Sequence, residues 1–225
     1  MEAKNYPVPE ITTKDGFQYY FDRHGVIHQL NPKPIEYTSE YVDTYRSEQY
    51  QKDSRRLQRI RLDFVIDQFE MVRERKPFTI LDAGFGDGSF LRTAMTEIPT
   101  CYGLDVTGEN VPEGCGTVND YRYTFDAVCF WDVFEHIEDL SFIKNLPASM
   151  VFMSMPDVSD KDFETWKHRK PNEHLHHFTP FSLISLMLSY GWSCVSYNHD
   201  EDEIRKGEPK NIMSLAFIKT VQPCK

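Results

Sequence analysis

The segment FTILDAGFGDGSF, from Phe78 to Phe90, carries the pattern that decides the fold. Its first residues are apolar and partly β-branched, which is typical of a buried β-strand. Asp82 ends that strand, and glycines follow at alternate positions: Gly84, Gly86 and Gly88. From Leu91 onward, apolar residues recur at helical spacing. The segment therefore predicts a strand, a glycine turn and a helix, which together bring backbone N–H groups to one point.

The spacing of these glycines favours one class of ligand over another. A dinucleotide-binding turn has glycine at its first, third and sixth positions, whereas the sixth position here is Ser89. Asp82 lies two residues before the first glycine. A carboxylate at that point would repel a pyrophosphate, but it suits a ligand with an ammonium group. S-adenosylmethionine has a nucleoside, an amino-acid end and no phosphate, so it fits better than a nicotinamide dinucleotide.

A second acid lies at the spacing expected for a nucleoside site. Cys101 to Leu104 reads as the next strand, and Asp105 ends it, 23 residues after Asp82. An acid near this spacing accepts hydrogen bonds from ribose hydroxyls in nucleoside sites of this type. The glycine turn and the second acid together are more specific than either feature alone.

Asp82-Ala-Gly-Phe-Gly-Asp-Gly88 resembles the first motif of the class I S-adenosylmethionine-dependent methyltransferases. Within that class, VFEHIEDL after Asp132 and HLHHFTPFSL from His174 look most like the group of ubiquinone-biosynthesis O-methyltransferases. The resemblance covers residues 55–220. Alternating strands and helices followed by two closing strands predict an α/β, Rossmann-like, seven-stranded and mostly parallel sheet with helices on both faces, as in the class I methyltransferase fold.

The resemblance implies a set of cofactor-binding residues and S-adenosyl-L-methionine as cofactor. By position, Asp120 would accept from the adenine amino group, with Tyr121 beside the ring. The full set runs from the first strand to the end of the fourth: Asp82, Ala83, Gly84, Phe85, Gly86, Gly88, Asp105, Val106, Asp120, Tyr121 and Trp131.

The candidate catalytic residues follow the fourth and fifth strands, and we expect Glu135, His136 and His176 to act on the methyl acceptor. Histidine can accept a proton near neutral pH with little tuning. Asp132-x-x-Glu135-His136 with the distal His176 also resembles the metal site of small-RNA 2′-O-methyltransferases, although those enzymes have Glu at the position of Asp132. This mixed oxygen and nitrogen set would suit Mg²⁺, Mn²⁺ or Zn²⁺. The alternative is that the Glu-His pair only packs against the cofactor.

Composition bounds the class of protein and its partners. The chain has 225 residues, of which 40% are hydrophobic, and a net charge of −10. This charge argues against a broad nucleic-acid surface, so a small-molecule acceptor is expected. Five cysteines without a C-x-x-C pair argue against a disulfide scaffold. Without a signal or membrane-spanning pattern, a cytoplasmic protein is expected; the oligomeric state stays open.

The domain organisation is predicted as an extension, residues 1–52, and a cofactor-binding domain, residues 53–225. Phe17–Phe21 and Val26–Leu30 predict a hairpin. The tyrosines that follow either pack the extension onto the domain or form a lid: Tyr37, Tyr41, Tyr45 and Tyr50. One long helix is predicted from Asp53 to Lys76, with its arginines on the solvated face.

The expected function is methylation of a small-molecule or nucleotide-linked hydroxyl. Methylation of RNA and a non-catalytic cofactor-binding module remain as alternatives. A nicotinamide-dependent oxidoreductase is disfavoured by Asp82 and Ser89.

Overall fold

The computed structural model describes residues 7–35, 48–108, 110–205 and 210–220, with side chains of the first long helix from Ser54 onward. The strands are β1 (Ile11–Thr12), β2 (Gln18–Phe21), β3 (Ile27–Gln29), β4 (Thr79–Ala83), β5 (Thr100–Leu104), β6 (Gly116–Thr117), β7 (Phe125–Trp131), β8 (Ala148–Pro156), β9 (His176–His177), β10 (Trp192–Asn198) and β11 (Ile212–Lys219). The α-helices are α1 (Glu48–Arg73), α2 (Ser89–Ala94), α3 (Pro180–Ser189) and α4 (Asp202–Arg205). Two 3-10 helices, Phe134–His136 and Leu140–Asn145, follow β7.

Seven strands form the main sheet in the order β10-β11-β8-β7-β4-β5-β6. β4 pairs in parallel with β5 on one side and with β7 on the other, and β7 pairs in parallel with β8. β11 pairs antiparallel with β8 and β10. The predicted class I methyltransferase fold, with its mostly parallel sheet and closing pair of strands, is confirmed.

Helices cover both faces of this sheet, because each buries an apolar stripe. On one face α1 and α2 pack together through side chains that include Val65, Phe69 and Leu91. On the other face α3 contributes Leu183 and Met187 to a second cluster with the fully buried Trp192. Thr179 caps the start of α3, where its side chain accepts a hydrogen bond from the backbone N–H of Ser182 at 3.0 Å.

The N-terminal extension contains the predicted hairpin, and a later part of the chain joins it. β2 and β3 pair antiparallel, and β3 pairs with β9 through His28 and His176. The resulting small sheet has the order β1-β2-β3-β9. α1 begins at Glu48, so it runs across the expected boundary at residue 52. Of the tyrosines that were predicted to form a lid or a packing element, Tyr37, Tyr41 and Tyr45 lie outside the described residues, and Tyr50 lies in α1.

The described part of the chain includes no helix with the length and apolarity required to span a bilayer.

The turn after β4 needs glycine at Gly84 for two reasons. Its φ is +76°, in the left-handed region, and a Cβ built there would lie 2.4 Å from Cγ2 of Val133. At Gly86 φ is +54°, but a Cβ would meet nothing within 4 Å. The same loop therefore contains one glycine required by both backbone and packing, and another required by the backbone alone.

We expect Gly84→Ala to lower the free energy of unfolding by roughly 2–4 kcal/mol, since backbone strain and overpacking add. Gly86→Ala should lower it by roughly 1 kcal/mol through backbone strain alone. Urea unfolding without ligand measures both. Equal losses in the two variants would show that the contact with Val133 contributes nothing.

Candidate functional site

The carboxyl ends of β4, β5 and β7 border one open cleft of about 1390 Å³. Ligands of open α/β sheets bind at this edge, where the strand order reverses. Residues after β4 and β5 form one end of the cleft, named here the nucleoside end. Residues after β7 and in the segment 167–174 form the other, named the acceptor end.

The nucleoside end is built by the glycine turn and Asp105. The backbone N–H of Gly84 donates to the carbonyl of Leu104 at 2.6 Å, which ties the turn to the neighbouring strand. The N–H of Gly86 donates to Oδ2 of Asp105 at 3.0 Å. Oδ1 of Asp105 accepts from the backbone N–H and the hydroxyl of Thr107, at 2.9 and 2.8 Å. These bonds hold the Asp105 carboxylate beside the turn.

Asp82 is a buried acid on the floor of the cleft. Its side chain is 2% exposed, and Oδ1 has no hydrogen-bond partner among the described residues. Burial raises the pKa of Asp82 to about 8, against the opposing effect of the Arg61 guanidinium. An unpartnered carboxyl oxygen in such a place is suited to a ligand that brings its own hydrogen-bond donor.

The other expected cofactor residues divide between cleft and core. Phe85, Val106, Tyr121 and Trp131 line the cleft, and Val106 is 88% exposed there. The rest of that set lies elsewhere: Ala83, 1% exposed, within the sheet, and Gly88 as the left-handed residue before α2.

Asp120 does not line the cleft in the structure, contrary to the position expected for it. Its carboxylate binds Arg122, accepting from the backbone N–H at 3.0 Å and from Nε at 2.7 Å. Asn119 and Tyr121 line the cleft instead. β6 ends at Thr117, so Asp120 lies in the irregular segment beyond the strand and not at its end.

The acceptor end contains a cluster of three potential ligands: Glu135, His136 and His174. Their side-chain ligand atoms lie within 4.8 Å of one another. Nε2 of His136 is 3.8 Å from Oε1 of Glu135. The rings of His136 and His174 pack edge to face, with their centres 4.7 Å apart. The short 3-10 helix after β7 supplies the first two residues. A backbone bond from Leu175 N–H to the Glu135 carbonyl, 2.9 Å, holds the third beside them.

Burial controls the protonation of this cluster. Glu135 is 1% exposed, and neither of its carboxyl oxygens has a hydrogen-bond partner in the described structure. Burial, with the nearby Asp132, raises its pKa well above the usual range. Burial lowers the pKa of His136, and lowers that of His174 to about 2. Both imidazoles are therefore neutral at pH 7.

His176 lies outside this cluster, although it was the expected distal ligand. Its Nε2 is 2.9 Å from the Ile137 carbonyl, and its Nδ1 is 2.7 Å from Nδ1 of His28. Nε2 of His28 in turn lies 3.5 Å from the Asp22 carboxylate. Both ring nitrogens of His176 are therefore engaged, and the residue joins the N-terminal sheet to the main domain. His174 occupies the place beside Glu135 and His136 that was expected for His176.

Asp132 is also engaged elsewhere, in an ionic network with the buried Arg61 and Glu201 and the partly exposed Arg205; its own side chain is 33% exposed. Arg61 donates from Nη2 to Asp132 Oδ2 at 2.8 Å, and from Nε to Glu201 Oε1 at 2.8 Å. Arg205 donates from Nη2 to the same Asp132 oxygen at 2.5 Å, and reaches Oε2 of Glu201 at 2.7 Å. The arginines lower the pKa of both carboxyl groups despite their burial. Asp132 itself has a left-handed φ of +57°.

Arg61, Arg205 and Glu201 were not found from the sequence. Arg61 was expected on the solvated face of α1, yet only 6% of it is exposed. It lies among apolar positions of that helix, Leu57, Ile60 and Phe64, and this is the one signal that could have marked it. Its guanidinium carbon also lies 5.0 Å from the centre of the Trp131 ring.

We expect Arg61→Met to lower the free energy of unfolding at pH 7 by roughly 3–5 kcal/mol, because it leaves Asp132 and Glu201 short of a buried partner. Arg56→Met is the control on the same helix. Arg56 meets Glu203 at 3.4 Å with both side chains more than half exposed, so its loss should change stability by less than about 1 kcal/mol.

The difference between these variants should depend on pH. Folding lowers the pKa values of Asp132 and Glu201. The ionised carboxylates therefore contribute their full stabilisation of the folded protein above the unfolded-state pKa values of about 4, and this contribution declines at lower pH. Urea unfolding from pH 7 to 3 measures it. A difference that stayed constant across this range would contradict a role for the ionised carboxylates.

Comparisons with known proteins support the fold. A search of curated protein sequences finds no match. A solved methyltransferase from Burkholderia thailandensis, the 1,6-didemethyltoxoflavin-N1-methyltransferase with bound S-adenosylhomocysteine, is similar with a TM-score of 0.56 and 13% identity, over 90% of this chain and 98% of that one. Magnesium protoporphyrin IX methyltransferase from Synechocystis, also with bound S-adenosylhomocysteine, is similar with a TM-score of 0.54 and 16% identity, over 80% of this chain and 93% of that one. The methyltransferase domain of bacterial CtHen1-C is similar with a TM-score of 0.52 and 19% identity, over 73% of this chain and all of that one.

At these identities the structural likeness concerns the fold. The family assignment comes from the sequence: a family profile described as "Methyltransferase domain" matches residues 50–197. That stretch contains the glycine turn, both acids of the nucleoside end and the whole acceptor-end cluster. The chain belongs to the methyltransferase-domain family.

Proposed function

We propose that this protein is an S-adenosylmethionine-dependent methyltransferase that acts on a hydroxyl of a small-molecule or nucleotide-linked acceptor. The observation that supports the cofactor is the pair of acids beside a left-handed glycine turn: Asp82 is buried, with one carboxyl oxygen that has no partner among the described residues, and Asp105 is held beside the turn. Two of the similar solved methyltransferases contain S-adenosylhomocysteine, the product of this cofactor.

Each group of the cofactor has a counterpart in the cleft. The amino-acid end would bring its ammonium group to Asp82, whose Oδ1 lacks a partner among the described residues. The ribose hydroxyls would donate to Asp105, in place of one or more of the backbone and hydroxyl donors that it now binds. The adenine would lie against Val106 and Tyr121, with Asn119 to pair with its edge.

The acceptor would lie between the sulfonium and His136. Methyl transfer from a sulfonium is an in-line displacement, so the protein must chiefly hold the two reacting atoms in line and provide for the acceptor's proton. His136 lines the cleft and is neutral at pH 7, so it can accept that proton. His176 was the other expected proton acceptor, but it does not line the cleft and both of its ring nitrogens are engaged.

The cluster of Glu135, His136 and His174 fits a divalent metal ion. Two orphaned carboxyl oxygens and two neutral imidazoles are the donor set that Zn²⁺ or Mn²⁺ accepts in proteins. With an ion bound, His136 would serve as its ligand instead of accepting the proton, and the ion would polarise the acceptor oxygen and ease the loss of its proton. We therefore revise the proposed ligand set from Asp132, Glu135, His136 and His176 to Glu135, His136 and His174.

Binding of S-adenosylhomocysteine should release close to one proton at pH 7, because the ammonium group meets Asp82 as carboxylate, whereas the free side chain, with its pKa of about 8, is mostly protonated. The affinity should rise from pH 6 to 8. Titration calorimetry in buffers of different ionisation enthalpy measures the release.

Asp82→Asn should abolish the proton release and weaken binding roughly tenfold or more. Asp87→Asn is the matched control, since Asp87 lines the same cleft but already binds the N–H and hydroxyl of Ser89, at 2.9 and 2.7 Å. Unchanged affinity and proton release in Asp82→Asn would refute the role of Asp82.

For the metal, His174→Ala should weaken the binding of Zn²⁺ and Mn²⁺ to chelator-treated protein roughly tenfold or more. His176→Asn should bind both ions like the unmodified protein. Equilibrium dialysis with metal analysis measures the affinities, and circular dichroism confirms that each variant is folded. Loss of binding in His176→Asn but not in His174→Ala would restore the original ligand set.

A further inference from the structure

Among the described residues, the basic side chains that line the acceptor end pair with acids, with one exception. Arg61 and Arg205 are matched by Asp132 and Glu201 in the ionic network. Lys170 Nζ lies 3.0 Å from Oε1 of Glu173, so these two side chains also pair.

Lys167 is the exception. It lines the acceptor end of the cleft and is exposed there. Within the described ranges it has no carboxylate at ion-pair distance. Its neighbour His168 lines the same wall, and the Nε2 of that ring is buried without a hydrogen-bond partner in the described structure.

The sign of the charge changes along the cleft. The charged residues at the carboxyl ends of β4 and β5 and in the glycine turn are all acids: Asp82, Asp87 and Asp105. These suit a cofactor that carries a positive sulfonium and an ammonium group. The segment 167–174 instead places Lys167, Lys170 and Glu173 on the acceptor wall, and because Lys170 pairs with Glu173, Lys167 adds one positive charge there, in a protein whose net charge is −10. A lysine without an acidic partner in this cleft is not explained by a general excess of basic residues.

We propose that the methyl acceptor carries an oxyanion, either a carboxylate or a phosphate, which Lys167 binds while the reacting hydroxyl lies near His136. This inference rests on the proposed function and names the class of its substrate. The ammonium donors of Lys167 would recognise the charge rather than the shape of the acceptor. A compact ammonium makes such a contact with any of the oxyanion's oxygens.

Three aromatic probes of similar size test the inference by calorimetry on the full chain saturated with S-adenosylhomocysteine: benzoate, phenyl phosphate and benzyl alcohol. We expect at least one anion to bind about tenfold more tightly than the neutral alcohol, which is the effect of one charge-assisted contact. A preference for benzoate would indicate a carboxylate acceptor, and a preference for phenyl phosphate a phosphate.

The preference should disappear in Lys167→Met and persist in Lys167→Arg. Lys14→Met, which removes an exposed lysine outside the cleft, should behave like the unmodified protein. The inference is overturned if the unmodified protein binds neither anion more tightly than the alcohol, or if Lys167→Met keeps the preference. Failure to bind S-adenosylhomocysteine would instead refute the proposed function, and the probes would then be compared without it.

Discussion

The close approach of Val133 to Gly84 holds the two ends of the cleft together. A Cβ at Gly84 would lie 2.4 Å from Cγ2 of Val133, so the loop after β7 packs directly on the backbone of the turn after β4. Val133 is followed at once by the 3-10 helix that presents Glu135 and His136. The distance from the nucleoside end to the acceptor end is thus fixed by a van der Waals contact that only glycine allows.

Ionic pairing stabilises the same loop from the opposite side. Asp132 follows β7 with a left-handed φ, and its carboxylate reaches Arg61 of α1 and Arg205 of α4. Such backbone strain persists only where the surrounding structure holds it. The network therefore ties the first long helix and the segment between β10 and β11 to the residue that begins the acceptor loop, and it aligns Glu135 and His136 with the cleft.

The sequence was sufficient for the fold because local and long-range signals agreed. The apolar runs of β4, β5, β7 and β8, the glycine turn and the closing pair of strands each have a clear pattern. Their order limits the sheet to a few topologies, and the resemblance to class I methyltransferases selects one of them. The two acids at the nucleoside end could also be predicted, because the carboxyl ends of parallel strands border the ligand cleft in open α/β sheets.

The acceptor end was harder to predict because pairing between distant segments decides it. β9 pairs with β3, which turns His176 toward His28 and leaves His174 for the cleft. No local pattern in HLHHF separates these two histidines. Arg61 was missed for a similar reason: its partner acids are 71 and 140 residues away, and an arginine in a helix is usually solvated.

The account depends on a sulfonium nucleoside bound across the turn after β4. A crystal structure grown with S-adenosylhomocysteine tests this most directly. It should show the amino group beside Asp82, the ribose hydroxyls on Asp105 and the thioether sulfur facing His136. An empty turn at saturating ligand, or a compound bound there with its pyrophosphate on Gly84 and Gly86, would contradict the account.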